Sequence, residues 1–212
     1  MLCRALVACG RKPVPVFDLT AKFDGLGNGR VLLALSGLAF FHPAFFPLTQ
    51  LFGGGPWTRI LHPYIGVVMM LFFVMMFLRF WRLNVMEQRD VEWLKNVNKM
   101  IDGNDHDMPE QGKYNGGQKV MFWALAVCML LMMVSGLFIW RAWFGFDITL
   151  VRMGAVVHAA AGAVMIGLIM VHVYAAIWVK GTIRAMWYGT VTRAWAKQHH
   201  RGWYRKMTGD NS

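Results

Sequence analysis

Residues 151–174 read VRMGAVVHAAAGAVMIGLIMVHVY, an apolar run of Ala, Val, Met, Ile and Leu that carries two histidines, His158 and His172. A stretch this long with no charge beyond Arg152 has the length of a membrane-crossing helix, for which about 20 apolar residues suffice. Two imidazoles inside it are costly unless each has a partner, so the segment raises both a fold and a chemistry. Fourteen residues at about 100° each fall about 40° short of four full turns. The two rings therefore share a helix face, about 21 Å apart along the axis.

The rest of the chain fits the same solvent. Of its 212 residues 57% are hydrophobic and only 16% charged, against about a quarter charged in soluble domains. The chain has three further uncharged runs: Ile60 to Leu78, Val120 to Trp140, and Val31 to Phe52, which is interrupted by His42-Pro43 and Pro47. With Met153 to Val179 they predict an all-α, membrane-spanning four-helix bundle. The proline positions leave only Val31 to Phe41 as continuous helix, so helix 1 is expected to be truncated or irregular at its N-terminal half. Residues 1–30 hold Pro and Gly positions that suit coil, and their short apolar patch does not predict a cleaved signal peptide. The three cysteines have no paired metal or disulfide spacing. The 17 Met and 10 Trp suit adaptable helix packing and interfacial belts.

Lys and Arg set the orientation. Nineteen of the 22 fall in the N-terminal 30 residues, the loop 79–119 and the tail 180–212; only Arg59, Arg141 and Arg152 fall on the other side. By the positive-inside rule both termini and that loop are cytoplasmic. The net charge of +11 then reflects topology and anionic lipid, not nucleic acid. Within the loop, Val91, Leu94, Val97 and Ile101 recur at near-helical spacing and predict a short amphipathic surface helix. The tail interleaves basic residues with Trp187, Trp195, Trp203 and Tyr204, as a headgroup-level anchor does. No internal repeat is evident.

Haem iron accepts axial histidine, and small residues beside His158 (Ala159, Ala160, Ala161, Gly162) leave room for a flat macrocycle or for close helix packing. A second ligand has to lie at the same depth. His62, three residues from Arg59, matches His158, six residues from Arg152; His42 competes but reads as a helix-terminating turn. His172, eight residues from Lys180, has no evident inner partner. His106 sits in an acidic polar loop and His199 and His200 in the basic tail, where exposure is expected. The alternative is that these imidazoles only hydrogen-bond between helices. At the inner surface, Lys113-Tyr114-Asn115-Gly116-Gly117-Gln118-Lys119 runs into helix 3; Asn and Gln amides can hydrogen-bond quinone carbonyls, although the same residues make an ordinary turn.

The segments RILHPYIG (59–66), GKYNGGQK (112–119), SGLFIWR (135–141) and the long run from His158 to Arg205 resemble the cytochrome b (gamma) subunit of bacterial membrane-bound respiratory formate dehydrogenases. The resemblance covers about residues 31–207. It implies four helices holding two b-type haems in the bacterial inner membrane. It also implies an iron-sulfur beta subunit and a molybdenum or tungsten catalytic alpha subunit as partners, and menaquinone or ubiquinone as electron acceptor. Formate oxidation belongs to the partner. By the same resemblance His62 and His158 ligate the outer haem, His172 ligates the inner haem, and Asn115 and Gln118 line the quinone pocket.

One part departs from that family, which has a His-Trp pair near the start of helix 1. Counting back from Gly37 puts Phe23 there, or Gly25 after a two-residue gap, and neither is histidine. The segment GLGNGR replaces apolar sequence and sets Asn28 and Arg30 within the membrane. The departure reads as a shift of reading frame, or a real insertion or deletion, upstream of Val31, and it leaves the inner haem without its second histidine. A cytochrome b of another periplasmic oxidoreductase, such as a nickel-iron hydrogenase, is the neighbouring alternative. A non-haem membrane scaffold is the alternative of a different class.

Overall fold

Apolar runs without charge become helices, and their ends are set by caps and prolines. The computed structural model describes residues 14–15, 24–102, 108–141, 143–179 and 181–209. His106 and most of the atypical N-terminal segment lie outside them. Three helices are long and apolar enough to cross a membrane, and among the described residues the regular structure is otherwise helical apart from one two-residue ladder. The three are α2 (Gly55–Phe80), α5 (Gly116–Ile139) and α6 (Ile148–Trp178), and they are preceded by α1 (Asp24–Phe41), whose apolar part from Gly29 to Phe41 is shorter than a membrane span. Between α1 and α2 lies a 3-10 segment, Pro43–Phe52. The short helices are α3 (Gln88–Lys95), α4 (Val97–Ile101), α7 (Thr182–Tyr188), α8 (Arg193–His199) and α9 (Arg201–Thr208). The chain forms two compact units, one of Phe23–Arg82 with Met121–Val173, the other of Met1–Lys22, Leu83–Val120 and Tyr174–Ser212.

The first unit is the bundle. Helix α1 ends at Phe41 where expected, and His42 caps the following 3-10 turn by accepting the Ala44 N–H at 3.2 Å. Its start corrects the coil expected for GLGNGR: the helix begins at Asp24, seven residues before Val31. Packing overrides the low helix propensity of glycine here. A side chain at Gly29 would run into the Met69 sulfur on α2, so a small residue is what lets α1 lie against α2. Helix α2 begins ahead of Ile60 because Gly54, at φ +97°, and Pro56 launch it. The buried Thr58 hydroxyl then closes its first turn onto the Gly54 carbonyl at 2.8 Å. Helix α6 starts at Ile148, ahead of the expected Met153, since Asp147 Oδ2 accepts the Thr149 N–H at 2.8 Å. That bond holds the Asp147 carboxyl below its ordinary range. On the same helix Gly154 is buried where a Cβ would come within 2.9 Å of Phe138 Cβ, so α5 and α6 pack backbone to backbone.

The second unit is held by polar staples. The expected amphipathic segment forms as α3 and α4, with Glu87 and Asp90 in a capping box. Asp90, wholly buried, accepts the Glu87 N–H at 2.7 Å and pairs with the buried Lys119 ammonium at 2.6 Å, which also donates to the Val85 carbonyl. The tail pairs with the N-terminal segment through the two-residue antiparallel ladder of β1 (Val14–Pro15) with β2 (Thr190–Val191), and it has a small core of Val191, Ala196 and Tyr204.

His200 corrects the exposure expected of it. It is 5% exposed, and its Nδ1 lies 2.9 Å from the Gly112 carbonyl, to which it donates. Two bonds flank it: Gly202 N–H to the Gln111 carbonyl at 3.1 Å, and Arg205 to Glu110 at 2.8 Å. Burial pushes the His200 pKa below its ordinary 6.5, opposed by the Gly112 bond and helped by the neighbouring His199. A depressed pKa means the folded tail binds fewer protons than the unfolded one. Its contribution is therefore complete above about pH 6.5 and is lost as pH falls through the folded value. Hydrogen exchange across residues 190–208 should speed up between pH 8 and pH 5.5, beyond the intrinsic change. His200→Ala should remove that pH dependence while leaving exchange fast at both values.

Candidate functional site

The site of the first unit is a pair of imidazoles, one from each of two helix pairs. His62, on α2, has its Nδ1 2.7 Å from Ser36 Oγ on α1. His158, on α6, has its Nδ1 3.0 Å from Ser135 Oγ on α5. Each serine is buried, at 0% and 2% exposure, and each hydroxyl also reaches back one helical turn. Ser36 Oγ lies 2.7 Å from the Leu32 carbonyl and 3.2 Å from that of Leu33. Ser135 Oγ lies 2.5 Å from the Leu131 carbonyl and 3.3 Å from that of Met132. The next residue is glycine in both helices. A Cβ on Gly37 would stand 3.4 Å from His62 Cε1, and one on Gly136 would stand 3.3 Å from His158 Cε1.

The two rings face each other with centroids 6.1 Å apart and planes at 76°. An imidazole nitrogen binds a transition metal at about 2 Å, and a ring centroid lies about 1 Å behind its nitrogen. Two imidazoles on opposite sides of one metal therefore put their centroids about 6 Å apart. The donor set narrows the kind of metal centre. Among the described residues no three His, Cys, Asp or Glu side chains gather to hold an ion. Two imidazoles are too few for a structural or catalytic metal cage. They are the number of axial positions on a haem iron, whose equatorial donors come with the macrocycle. Elsewhere in the same unit, Tyr64 and Trp140 stack edge to face at 5.3 Å and Arg59 lies 5.6 Å above the Phe40 ring.

Of the residues expected at two haems, His62 and His158 come together and His172 does not join them. His172 lies further along α6, exposed on the surface of the chain, with no hydrogen-bond partner among the described residues. Ser36 and Ser135 are the site residues that the expectation lacked. Their signal is the repeated tripeptide Ser36-Gly37-Leu38 and Ser135-Gly136-Leu137, each on the helix before a histidine-bearing helix.

Asn115 and Gln118 belong to the second unit. They form a reciprocal capping box at the start of α5: Gln118 N–H donates to Asn115 Oδ1 at 2.9 Å and Asn115 N–H donates to Gln118 Oε1 at 3.0 Å. The cap uses both side-chain oxygens and leaves both amide NH₂ groups as donors. Gly116 is small for a reason, since a Cβ there would meet the Asp90 carbonyl at 2.6 Å. Burial pushes the adjacent Tyr114 phenol up to about 12, so it stays protonated and adds an O–H donor.

Comparison with known proteins points the same way. Residues 29–189 match the family model of prokaryotic cytochrome b561. The chain is 45% identical over 179 residues to the formate dehydrogenase cytochrome b556(fdo) subunit of Escherichia coli K12, covering 84% of each chain. It is 43% identical over 178 residues to the nitrate-inducible formate dehydrogenase cytochrome b556(Fdn) subunit of the same strain, covering 83% of this chain and 82% of the relative. The formate dehydrogenase cytochrome b556 subunit of Haemophilus influenzae is 40% identical over 173 residues, 81% of this chain and 73% of the relative.

The capping role of Asn115 separates cleanly from any binding role. Asn115→Ala should loosen the first turn of α5 by about 1 kcal/mol, read as about fivefold faster amide exchange at residues 117–119, whereas Asn115→Asp, an equally good cap, should leave exchange unchanged.

Proposed function

This chain belongs to the prokaryotic cytochrome b561 family, and on that footing we propose that it is the membrane cytochrome b of a formate dehydrogenase complex. It takes electrons from a periplasmic iron-sulfur subunit and delivers them to menaquinone or ubiquinone, while a molybdenum or tungsten subunit oxidises formate. Family membership implies haem b. The observation that carries the site assignment is the 6.1 Å pair of imidazoles, His62 and His158, with no third protein donor beside it among the described residues. These two would hold the outer haem. Haem b, when bound, supplies one-electron redox chemistry between ferric and ferrous iron.

The chain's own residues do the rest. Apolar side chains along α2, α5 and α6 exclude water from the imidazole pair, and the buried serines orient it. We assign His172 as a single protein ligand to an inner haem, in keeping with a helix 1 that offers no histidine before His42. At the start of α5 the Asn115 and Gln118 amides, with the Tyr114 hydroxyl, are hydrogen-bond donors suited to the two carbonyl oxygens of a quinone. Both termini and residues 79–119 face the cytoplasm in this proposal, supported by the nineteen Lys and Arg of those segments. Quinone reduction then draws protons from the cytoplasmic side while formate is oxidised outside, and charge moves across the membrane.

Two sets of variants test this. In purified complex assayed by pyridine haemochrome and reduced spectra, His62→Ala and His158→Ala should each abolish the same six-coordinate, low-spin b-type haem, and His172→Ala should leave it intact. Retention of that haem in either of the first two variants overturns the ligand assignment. For the quinone, Asn115→Asp keeps the cap but exchanges an amide donor for a carboxylate. It should slow quinone reduction at least tenfold with haem content unchanged; an unaltered rate removes Asn115 from the site.

A further inference from the structure

The serines beside the paired histidines do more than fill a helix contact. A serine hydroxyl has one hydrogen and two acceptor lone pairs. Ser36 Oγ sits 2.7 Å from the Leu32 carbonyl oxygen, which can only accept, so the hydroxyl hydrogen points there. Toward His62 the same oxygen is then an acceptor, and the 2.7 Å contact requires a hydrogen on His62 Nδ1. The arithmetic repeats at Ser135: its hydrogen goes to the Leu131 carbonyl at 2.5 Å, and His158 Nδ1 donates to Ser135 Oγ at 3.0 Å. A neutral imidazole carries one N–H, so in both rings Nε2 is the nitrogen with the free lone pair.

A second contact fixes the rotation of each ring. Cε1, the carbon between the two nitrogens, lies against the backbone at Gly37 in one case and at Gly136 in the other, where a Cβ would be at 3.4 Å and 3.3 Å. With Nδ1 bonded to the serine and Cε1 seated on the following glycine, a ring has no freedom to flip. The same Ser-Gly dipeptide does this from α1 to α2 and from α5 to α6, so the site is two copies of one helix-pair device facing each other.

We propose that Ser36 and Ser135 are positioning residues for the haem site, each locking its histidine in the Nδ1–H tautomer with Nε2 directed to the iron and each adding to the basicity of that ligand through its accepted hydrogen bond. Outer partners of metal-bound histidine act in this way, raising ligand basicity and fixing orientation. A more basic axial imidazole favours the ferric state, so the two serines hold the potential of the site low. The inference rests on the proposal that His62 and His158 ligate haem.

The test uses the purified complex carrying Ser36→Ala, Ser135→Ala, both together, and the matching Ser→Thr variants. Its readouts are haem content, midpoint potential and the low-spin ferric EPR signal. Each Ala variant should shift the midpoint potential of the outer haem to more positive values and alter its EPR anisotropy. The double variant should shift further than either single, since the serines act on separate rings, and Thr, which keeps the hydroxyl, should stay near the parent. Loss of haem in the Ala variants that Thr prevents also supports the role. Unchanged potential and EPR signal at full haem content overturns it, even if the variants melt earlier, because a merely structural hydroxyl moves stability alone. Loss of haem from Ala and Thr variants alike overturns it too. A parent complex with no bis-histidine haem overturns instead the ligand assignment beneath it.

Discussion

A polar nitrogen surrounded by membrane helices has to be given a partner, because hydrocarbon offers no water to supply one. In this bundle the partner is a serine hydroxyl already anchored to its own helix. Ser36 and Ser135 each tie a neighbouring helix to the histidine that crosses it, at 2.7 Å and 3.0 Å. The bonds join two helix pairs whose two rings stand 6.1 Å apart, the pair proposed to hold the haem iron. Close packing makes this possible. Gly29 brings α1 against α2 and Gly154 brings α6 against α5, so that short serine side chains can reach across.

The two units rely on different physics. The bundle is apolar, with few fully buried side chains, and most of its large hydrophobics face outward as a lipid-covered protein's do. The second unit is stapled by charge and hydrogen bonds: the Lys119–Asp90 pair, the Asn115–Gln118 box, and the tail held through His200 and Arg205. Breaking a buried ion pair by removing one partner leaves an uncompensated charge, which makes Lys119 and Asp90 joint determinants of how α5 begins.

Much of this was legible in the sequence, for identifiable reasons. Membrane helices follow from uncharged length alone, and the pairing of His62 with His158 follows from both lying within about two turns of an arginine at the same end of the bundle, three residues from Arg59 and six from Arg152. Other features depend on contacts that no local pattern encodes. Ser36 and Ser135 stayed hidden because a serine in an apolar helix can always satisfy itself on the preceding turn. Asp24 to Arg30 read as coil because three glycines lower helix propensity, while the Met69 contact that rewards a glycine there lies on another helix. His200 read as exposed because the carbonyl that buries it, on Gly112, is 88 residues away in the chain. His172 keeps the helix face it shares with His158 but makes no hydrogen bond among the described residues, and the charge that faces it is Arg30 of α1.

The central claim is that one metal sits between His62 and His158 with an imidazole nitrogen from each. Low-temperature near-infrared magnetic circular dichroism of the oxidised, purified complex reports the axial ligand pair of a ferric haem directly. The account predicts a charge-transfer band of the bis-imidazole type that disappears in His62→Ala and His158→Ala and persists in His172→Ala. A complex whose low-spin haem shows any other ligand pair, or keeps its bis-imidazole band when His62 is gone, contradicts it.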